Sequence, residues 1–101
     1  MKIIELTGQY GAQTMVSDED YDELNKHRWF AKKASICIYV ARSKRVGSKV
    51  KTIFMHRWIM NTPDNMDCDH IDYDTMNNQR ENLRNVTRLV HNQRKYEGAK
   101  T

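Results

Sequence analysis

Hydrophobic and polar residues alternate in several short segments in the first half of the chain. This period of two is the pattern of strands with one buried face. The segments 3–6 and 12–16 are separated by a glycine-containing stretch that permits a turn, so they predict a hairpin. Further alternating segments predict a small antiparallel sheet with one basic loop. Its strands are expected at 28–32, 36–42 and 50–54, and the loop at 43–49.

Two segments have the apolar spacing of helices. Ser17 stands before three acidic residues, which is typical of a helix N-terminus because the helix dipole favours negative charge there. Tyr21 and Leu24 would form the apolar side of this helix, and its acids are interpreted mainly as capping residues. A second helix, in the core, is predicted over 54–60, where Asn-Thr-Pro-Asp ends it. Its histidine, His56, is interpreted as a structural or phosphate-contacting residue.

A length of 101 residues allows one domain, and the aromatic and aliphatic residues suffice for one small core. The predicted class is therefore a single α+β domain. Residues 1–11 contain neither a signal peptide nor a membrane span, so we expect a cytoplasmic protein with no membrane partner. Cys37 and Cys68 lie far apart in the sequence with no CxxC beside either, and both are interpreted as reduced.

Charge is segregated along the chain, although the net charge is only +4. Residues 1–25 sum to −5, residues 26–57 to +10, residues 58–79 to −5 and residues 80–101 to +4. The block 26–57 has ten Lys or Arg and no acid, whereas an ordinary solvated surface mixes both signs, so we expect it to contact nucleic acid. The Asp residues between two basic blocks would repel DNA unless they serve another purpose, such as holding a divalent cation.

The residues that suggest chemistry lie after position 66. Their pattern predicts a short strand ending in Asp69 and His70, a polar loop, a second short strand at 83–86, and a helix that carries His91. Asp and His supply oxygen and nitrogen donors for a divalent metal, and a further His suits removal of a proton from water at neutral pH. Because strand neighbours point to opposite faces, Asp69 and His70 can serve one site only if the strand bends or ends there.

This segment resembles the HNH nucleases, also called ββα-metal nucleases, and most closely the small phage and intron-homing type. In that family an Asp-His pair is followed twelve positions after the His by the Asn of an Asn-Leu-Arg run, and nine positions later by His or Asn. The residues here are Asp69, His70, Asn82 and His91. The resemblance implies that Asp69 and His91 bind one divalent metal. It also implies that His70 is the general base on the attacking water, and that Asn82 fixes the loop that orients His70.

The same resemblance implies the substrate and the cofactor. The substrate would be double-stranded DNA of a phage, a mobile element or a bacterial host. The cofactor would be Mg²⁺ or Mn²⁺, with Zn²⁺, Ni²⁺ or Co²⁺ as alternatives, and Asn92 could replace His91 as a ligand. Residues 1–62 would form a β-rich basic region that contacts DNA, and residues 66–97 the ββα-metal motif. The basic residues expected to contact DNA are Lys32, Lys33, Arg42, Lys44, Arg45, Arg80, Arg84, Arg88 and Arg94.

Two other classes of protein fit part of the pattern. One is a DNA-binding module or regulator that keeps the HNH fold without turnover and uses residues 26–57 as its contact surface. The other is a zinc-stabilised structural domain with His56, Cys68, His70 and His91 as ligands, although their spacing matches no closed zinc site. The sequence leaves the oligomeric state open between a monomer and a homodimer.

Overall fold

Short strands make up most of the fold, because the chain has many alternating segments and few apolar runs of helical spacing. The computed structural model describes residues 1–8, 12–34 and 36–90, which form one small α+β domain. The strands are β1 Lys2–Glu5, β2 Gln13–Val16, β3 Phe30–Ala34, β4 Cys37–Val46, β5 Lys49–Phe54, β6 Met66–His70, β7 Asn77–Asn78 and β8 Leu83–Thr87. The helices are α1 Asp18–Leu24, α2 Met55–Ile59 and a 3-10 turn at Arg80–Asn82.

The N-terminal hairpin is confirmed, and it has a partner that the sequence does not reveal. Strands β1 and β2 pair in antiparallel fashion, and β2 also pairs in parallel with the two-residue strand β7. Val16 lies opposite Asn78 in this pairing. The polar loop of the second half of the chain is thereby attached to the first half.

The second sheet has the order β3-β4-β5, with antiparallel pairs throughout. The prediction of a loop at 43–49 is wrong, because β4 continues to Val46 and pairs there with Lys49. The turn therefore shrinks to two residues, of which Gly47 has a φ of +63°. Glycine adopts such a φ at little cost, and Gly at the first position of a two-residue turn suits the twist of a hairpin.

The third sheet is the hairpin of β6 and β8, in which Asp69 lies opposite Arg84 and His70 opposite Leu83. Residues 88–90 are helical, so the two strands lead into a helix. The predictions for His91, Asn92 and Arg94 lie outside the described residues, as does most of the predicted helix.

The core lies where the sheets and the helices meet, and its largest fully buried side chains include Trp29, Leu24 and Met55. The indole of Trp29 donates a hydrogen bond of 2.8 Å to the carbonyl oxygen of Leu24, which satisfies its only polar atom. Neither cysteine forms a disulfide, as predicted. Within the described part of the chain, no helix is long and apolar enough to cross a membrane.

Helix α1 differs from its prediction in the role of its acids. Ser17 stands at the N-cap, but its hydroxyl makes no capping bond and instead accepts a hydrogen bond of 2.9 Å from the backbone N–H of Arg80. Asp20 is 5% exposed and accepts two bonds of 2.8 Å and one of 3.0 Å from the Arg80 guanidinium. The interpretation of these acids mainly as capping residues is therefore wrong for Asp20, which joins α1 to the 3-10 turn.

Candidate functional site

Asp69 and His70 are the last two residues of β6, and both are buried, with 5% and 4% of their surfaces exposed. Both line one cavity of about 60 Å³, which is large enough for about two water molecules. The strand ends at His70, and this break in the flat strand allows two sequence neighbours to serve one cavity. The cavity is lined by Cys37, Tyr39, Cys68, Asp69, His70, Tyr73 and Thr75.

Asn82 ties together the loop that follows His70. Its side-chain oxygen accepts the backbone N–H of Asp72 at 3.0 Å, and its Nδ2 donates to Asp72 Oδ1 at 2.8 Å. The same Nδ2 donates to the carbonyl oxygen of Asn77 at 2.9 Å, and the carbonyl oxygen of Asn82 accepts the N–H of Ile71 at 2.8 Å. One buried amide therefore holds both ends of the loop 71–77.

Asp72 and Asp74 give this loop its internal shape. Asp72 Oδ1 accepts the N–H of Asp74 at 2.8 Å, and Asp74 Oδ1 accepts the N–H of Met76 at 3.0 Å, so two successive Asx turns form. Partial burial alone would raise the pKa of Asp72, but hydrogen bonds from Asn77, Asp74 and Asn82 outweigh it and lower that pKa. The Asp72 carboxylate is therefore charged at neutral pH and acts as a hydrogen-bond acceptor within the loop.

A chain of hydrogen bonds determines which nitrogen of His70 carries the proton. The Thr14 hydroxyl donates its only hydrogen to the carbonyl oxygen of Met76 at 2.7 Å, so Thr14 Oγ1 can only accept a bond from Asn78 Nδ2, at 2.9 Å. This orientation turns Asn78 Oδ1 toward His70 Nε2, at 2.8 Å. Because an amide oxygen is only an acceptor, Nε2 must carry a hydrogen, and in the neutral ring Nδ1 keeps the lone pair.

The surroundings of His70 keep its ring neutral. Burial lowers the pKa of His70, and the hydrogen bond to Asn78 and the charge of Asp69 offset this only in part. Two rings pack nearby: the centroid of His56 lies 4.9 Å from that of His70, and Tyr39 stacks on His56 at 5.1 Å. His56 is itself only 6% exposed and packs between the rings of His70 and Tyr39.

The described residues contain one of the two expected metal ligands. Asp69 is a buried carboxylate on the cavity, and Arg84 Nε lies 3.3 Å from its Oδ2. A buried oxygen donor beside a neutral imidazole suits a hard divalent cation, and the expected second donor, His91 or Asn92, follows the last described residue. Within residues 1–8, 12–34 and 36–90, no three His, Cys, Asp or Glu side chains are grouped to hold a metal ion.

Three of the four residues of the zinc alternative, His56, Cys68 and His70, lie in the described part of the chain. Cys68 lies beside the cavity, but its Sγ is 3.5 Å from the carbonyl oxygen of His56, which is a thiol donor contact. Burial raises the pKa of Cys68 to about 11, so without a metal ion the thiol is protonated at neutral pH.

The basic residues expected at the DNA divide into two groups. Arg80 pairs with Asp20, Arg84 with Asp69, and Arg88 with Asp67, so three arginines after the loop are engaged within the protein. Arg42 lies 5.7 Å above the ring of Trp29, and its buried Nε has no hydrogen-bond partner among the described residues. The second group is exposed and forms no ion pair among the described residues, and it consists of Lys32, Lys33, Lys44 and Arg45.

Three residues at this site were not among the predicted site residues: Thr14, Tyr39 and Asn78. The Asn-Asn pair at 77–78 sits where the HNH family has one, and this was the one available signal for Asn78. Thr14 carries no such signal, because its contact with Asn78 exists only through the pairing of β2 with β7.

Comparison of the chain with protein-family models, with curated proteins and with solved structures gives no match.

Proposed function

We propose that this protein is a metal-dependent DNA endonuclease of the HNH type, which hydrolyses phosphodiester bonds with His70 as its general base. The observation that carries the proposal is the set of contacts around His70. A neutral imidazole with a fixed Nε2–H shares one cavity with a buried carboxylate, Asp69, next to a loop fixed by Asn82. A general base for water needs such a neutral ring with one free lone pair.

The chain's own residues would act in three ways. His70 would take the proton of the attacking water on Nδ1, and Asn78 would hold the ring by its Nε2–H. Asn82 would keep the loop beside the base in place, so that the ring is positioned before substrate binds. Tyr39 and His56 would fill the space behind the ring and limit the access of bulk water.

Asp69 would hold the metal together with His91 or Asn92. When bound, a divalent cation supplies Lewis-acid stabilisation of the charge that builds on the phosphate and the leaving oxygen. The resemblance to HNH enzymes further implies products with a 5′ phosphate and a 3′ hydroxyl, and a phage or host genome as the substrate.

A plasmid assay tests this proposal. The purified chain with Mg²⁺ or Mn²⁺ is expected to nick or linearise supercoiled plasmid, and excess EDTA is expected to stop it. His70→Ala should abolish cleavage while DNA binding persists, and His27→Ala is the matched control because His27 is exposed and remote from the loop 71–77 in sequence. Equal cleavage by the His70→Ala and His27→Ala proteins would refute the role of His70.

A DNA-binding module without turnover is the second candidate. It is favoured by the Asp69–Arg84 ion pair, because this pair engages the carboxylate expected to bind metal. Tight DNA binding with no cleavage in Mg²⁺, Mn²⁺, Zn²⁺, Ni²⁺ or Co²⁺ would support this second function over the first.

A further inference from the structure

The outer part of the β4–β5 hairpin extends beyond the core of the protein. Ala41 is fully buried and Phe54 opposite it is partly buried, but every residue from 43 to 52 is exposed. The strands remain paired throughout, from Ser43 with Thr52 to Val46 with Lys49. We call residues 43–52 the ribbon. It is a two-stranded element that the core does not explain.

The charges of the ribbon are unbalanced. It has four basic residues and no acid, and none of the four forms an ion pair within the described part of the chain. Lys44 lies directly opposite Lys51, and like charges at directly opposed positions destabilise a hairpin. A bound polyanion would remove this repulsion. The four basic residues are Lys44, Arg45, Lys49 and Lys51.

The two faces of the ribbon differ in chemistry. Because directly opposed residues share a face, Lys44 and Lys51 lie on one face, while Arg45 and Val50 lie on the other. The Arg45 face also carries the hydroxyls of Ser43 and Thr52. Arginine, hydroxyl and small apolar side chains are the groups that contact base edges and the thymine methyl in the major groove, whereas lysines suit phosphates.

The dimensions of the ribbon match one groove of DNA. Paired strands lie about 4.8 Å apart, and five residues extend about 17 Å. The major groove of B-DNA is about 12 Å wide and about 8.5 Å deep and admits a two-stranded ribbon, whereas the minor groove, about 6 Å wide, does not. The deep, narrow major groove of duplex RNA also excludes side chains.

Strand β4 runs without a break from the cavity to the ribbon. Tyr39 lines the cavity and lies on the same face of β4 as Ala41, Ser43 and Arg45, since these residues alternate along the strand. From Tyr39 to Val46 the strand extends about 24 Å at about 3.4 Å per residue. With β4 placed along the duplex axis, this distance corresponds to about seven base pairs, at about 3.4 Å per base pair.

We propose that the ribbon enters the major groove of duplex DNA about seven base pairs to one side of the bond that is cut. The inference rests on the proposed nuclease function for the position of the cut, but not for the DNA contact itself. Recognition would then be one-sided, with the Arg45 face toward the bases and the Lys44 face toward a phosphate backbone.

Salt dependence of DNA binding tests the contact. With the non-cleaving His70→Ala protein, the change K44Q/K51Q is expected to reduce the slope of log K against log salt by about 1.8, because each lost phosphate contact contributes about 0.9. The matched control K2Q/K26Q removes the same charge, but Lys26 pairs with Glu23 and Lys2 lies over the ring of Tyr21. An equal slope for the two double variants would overturn the proposal. So would equally tight binding of duplex RNA.

A second measurement tests which groove the ribbon enters and how far from the cut it lies. An iron–EDTA group attached to S48C, in a C37S background, is expected to cleave DNA in a major-groove pattern centred about seven base pairs from the enzyme's own cut. A minor-groove pattern, or cuts spread equally to both sides, would overturn the inference. If the wild-type chain cleaves plasmid and K44Q/K51Q behaves like K2Q/K26Q, this inference fails and the nuclease proposal stands. If no metal gives cleavage but the ribbon variants lose DNA binding, the nuclease proposal fails and the DNA contact of the ribbon stands.

Thermal unfolding is the control that shows whether the ribbon variants still fold. All the substituted side chains of the ribbon are exposed, and K44Q removes a like-charge pair, so the melting temperature without DNA is expected to stay the same or to rise. A large fall would show that these lysines support the fold instead of serving DNA, which would also overturn the proposal.

Discussion

The β6–β8 hairpin with its loop and the β4–β5 ribbon are both polar segments, but they differ in how far their polar side chains are buried and paired. Around the loop, Asn78, Asn82 and His70 are buried and hydrogen-bonded to one another or to the backbone. In the ribbon, the charged side chains are exposed and form no ion pair among the described residues. Buried, satisfied polar groups fix a geometry, as a catalytic site needs, whereas exposed, unpaired charges of one sign leave a surface for a polyanion.

Apart from substitutions of His70 itself, the largest effect is expected at Asn82. Asn82→Ala removes the amide that holds Asp72 and Asn77 and leaves two partly buried backbone groups without this partner, which costs about 1–3 kcal/mol. Because the loop beside His70 is then released, we expect cleavage to fall by more than about 100-fold. Plasmid cleavage and urea unfolding measure the two effects. Asn65→Ala, at an exposed position, is the control, and a loss as large in that variant would contradict the role of Asn82.

The next effect is expected in the relay from Thr14 to His70. Thr14→Val removes a buried hydroxyl that accepts from Asn78 and donates to Met76, so we expect a loss of about 1–3 kcal/mol in the free energy of unfolding. Thr52→Val, on the exposed ribbon, should change it by less than about 0.5 kcal/mol. Equal effects in urea titrations would remove the distinction between the two regions.

The hydrogen bond between His70 and Asn78 can be altered by a substitution of nearly the same size and shape. Asn78→Asp keeps an oxygen next to His70 Nε2 but adds a negative charge, which should raise the pKa of His70. The acid side of the pH–rate profile is therefore expected to move to higher pH, because the base must be neutral to act. An unchanged profile would show that Asn78 does not act on His70. Asn65→Asp, which adds the same charge at an exposed position, is the comparison.

Substitution of one arginine in each region compares their effects on stability and on DNA binding. Arg80→Met leaves the buried carboxylate of Asp20 without its partner and is expected to cost about 1–3 kcal/mol of stability. Arg45→Met, on the ribbon, should leave stability within about 0.5 kcal/mol and weaken DNA binding. Thermal unfolding and DNA-binding titrations of both variants test whether Arg80→Met loses stability and Arg45→Met loses binding. A stability loss at Arg45 would contradict it.

The smallest effect is on the pH dependence of stability. Burial holds the pKa of His70 below its ordinary value of 6.5, so the unfolded chain binds the proton more readily than the folded one. This contribution to stability is complete above about pH 6.5 and is lost as the pH falls below it. The urea midpoint of the wild-type chain should therefore fall more between pH 7 and pH 5.5 than that of His70→Asn. An identical fall in the two proteins would show that His70 does not titrate in this way.

The elements with strong local patterns were predictable from the sequence. The alternating segments around β2 and β4, and the helix signal near Trp58, reflect periodicities that burial imposes on any soluble domain. Asp69 and His70 were singled out because they end a predicted strand before a polar loop, and because their segment resembles the HNH nucleases. These predictions rest on residues that are close in sequence.

What could not be predicted depends on contacts between distant residues. The pairing of Val16 with Asn78, and the ion pair of Asp20 with Arg80, join residues about 60 positions apart, and no local pattern reports them. The extension of β4 through 43–46 was missed for a different reason. Its charged residues looked like a loop, although the alternation and Gly47 are equally consistent with a two-residue turn.

Chemical rescue of a His70 variant tests whether the His70 imidazole acts as the general base. His70→Gly removes the imidazole and leaves a cavity that a small base could enter, with the Asn78 acceptor still in place. We expect single-turnover cleavage to fall by about 10²- to 10⁴-fold, as for loss of a general base. Added imidazole should then restore cleavage in proportion to its concentration. Cleavage by His70→Gly at the wild-type rate without imidazole would contradict the claim.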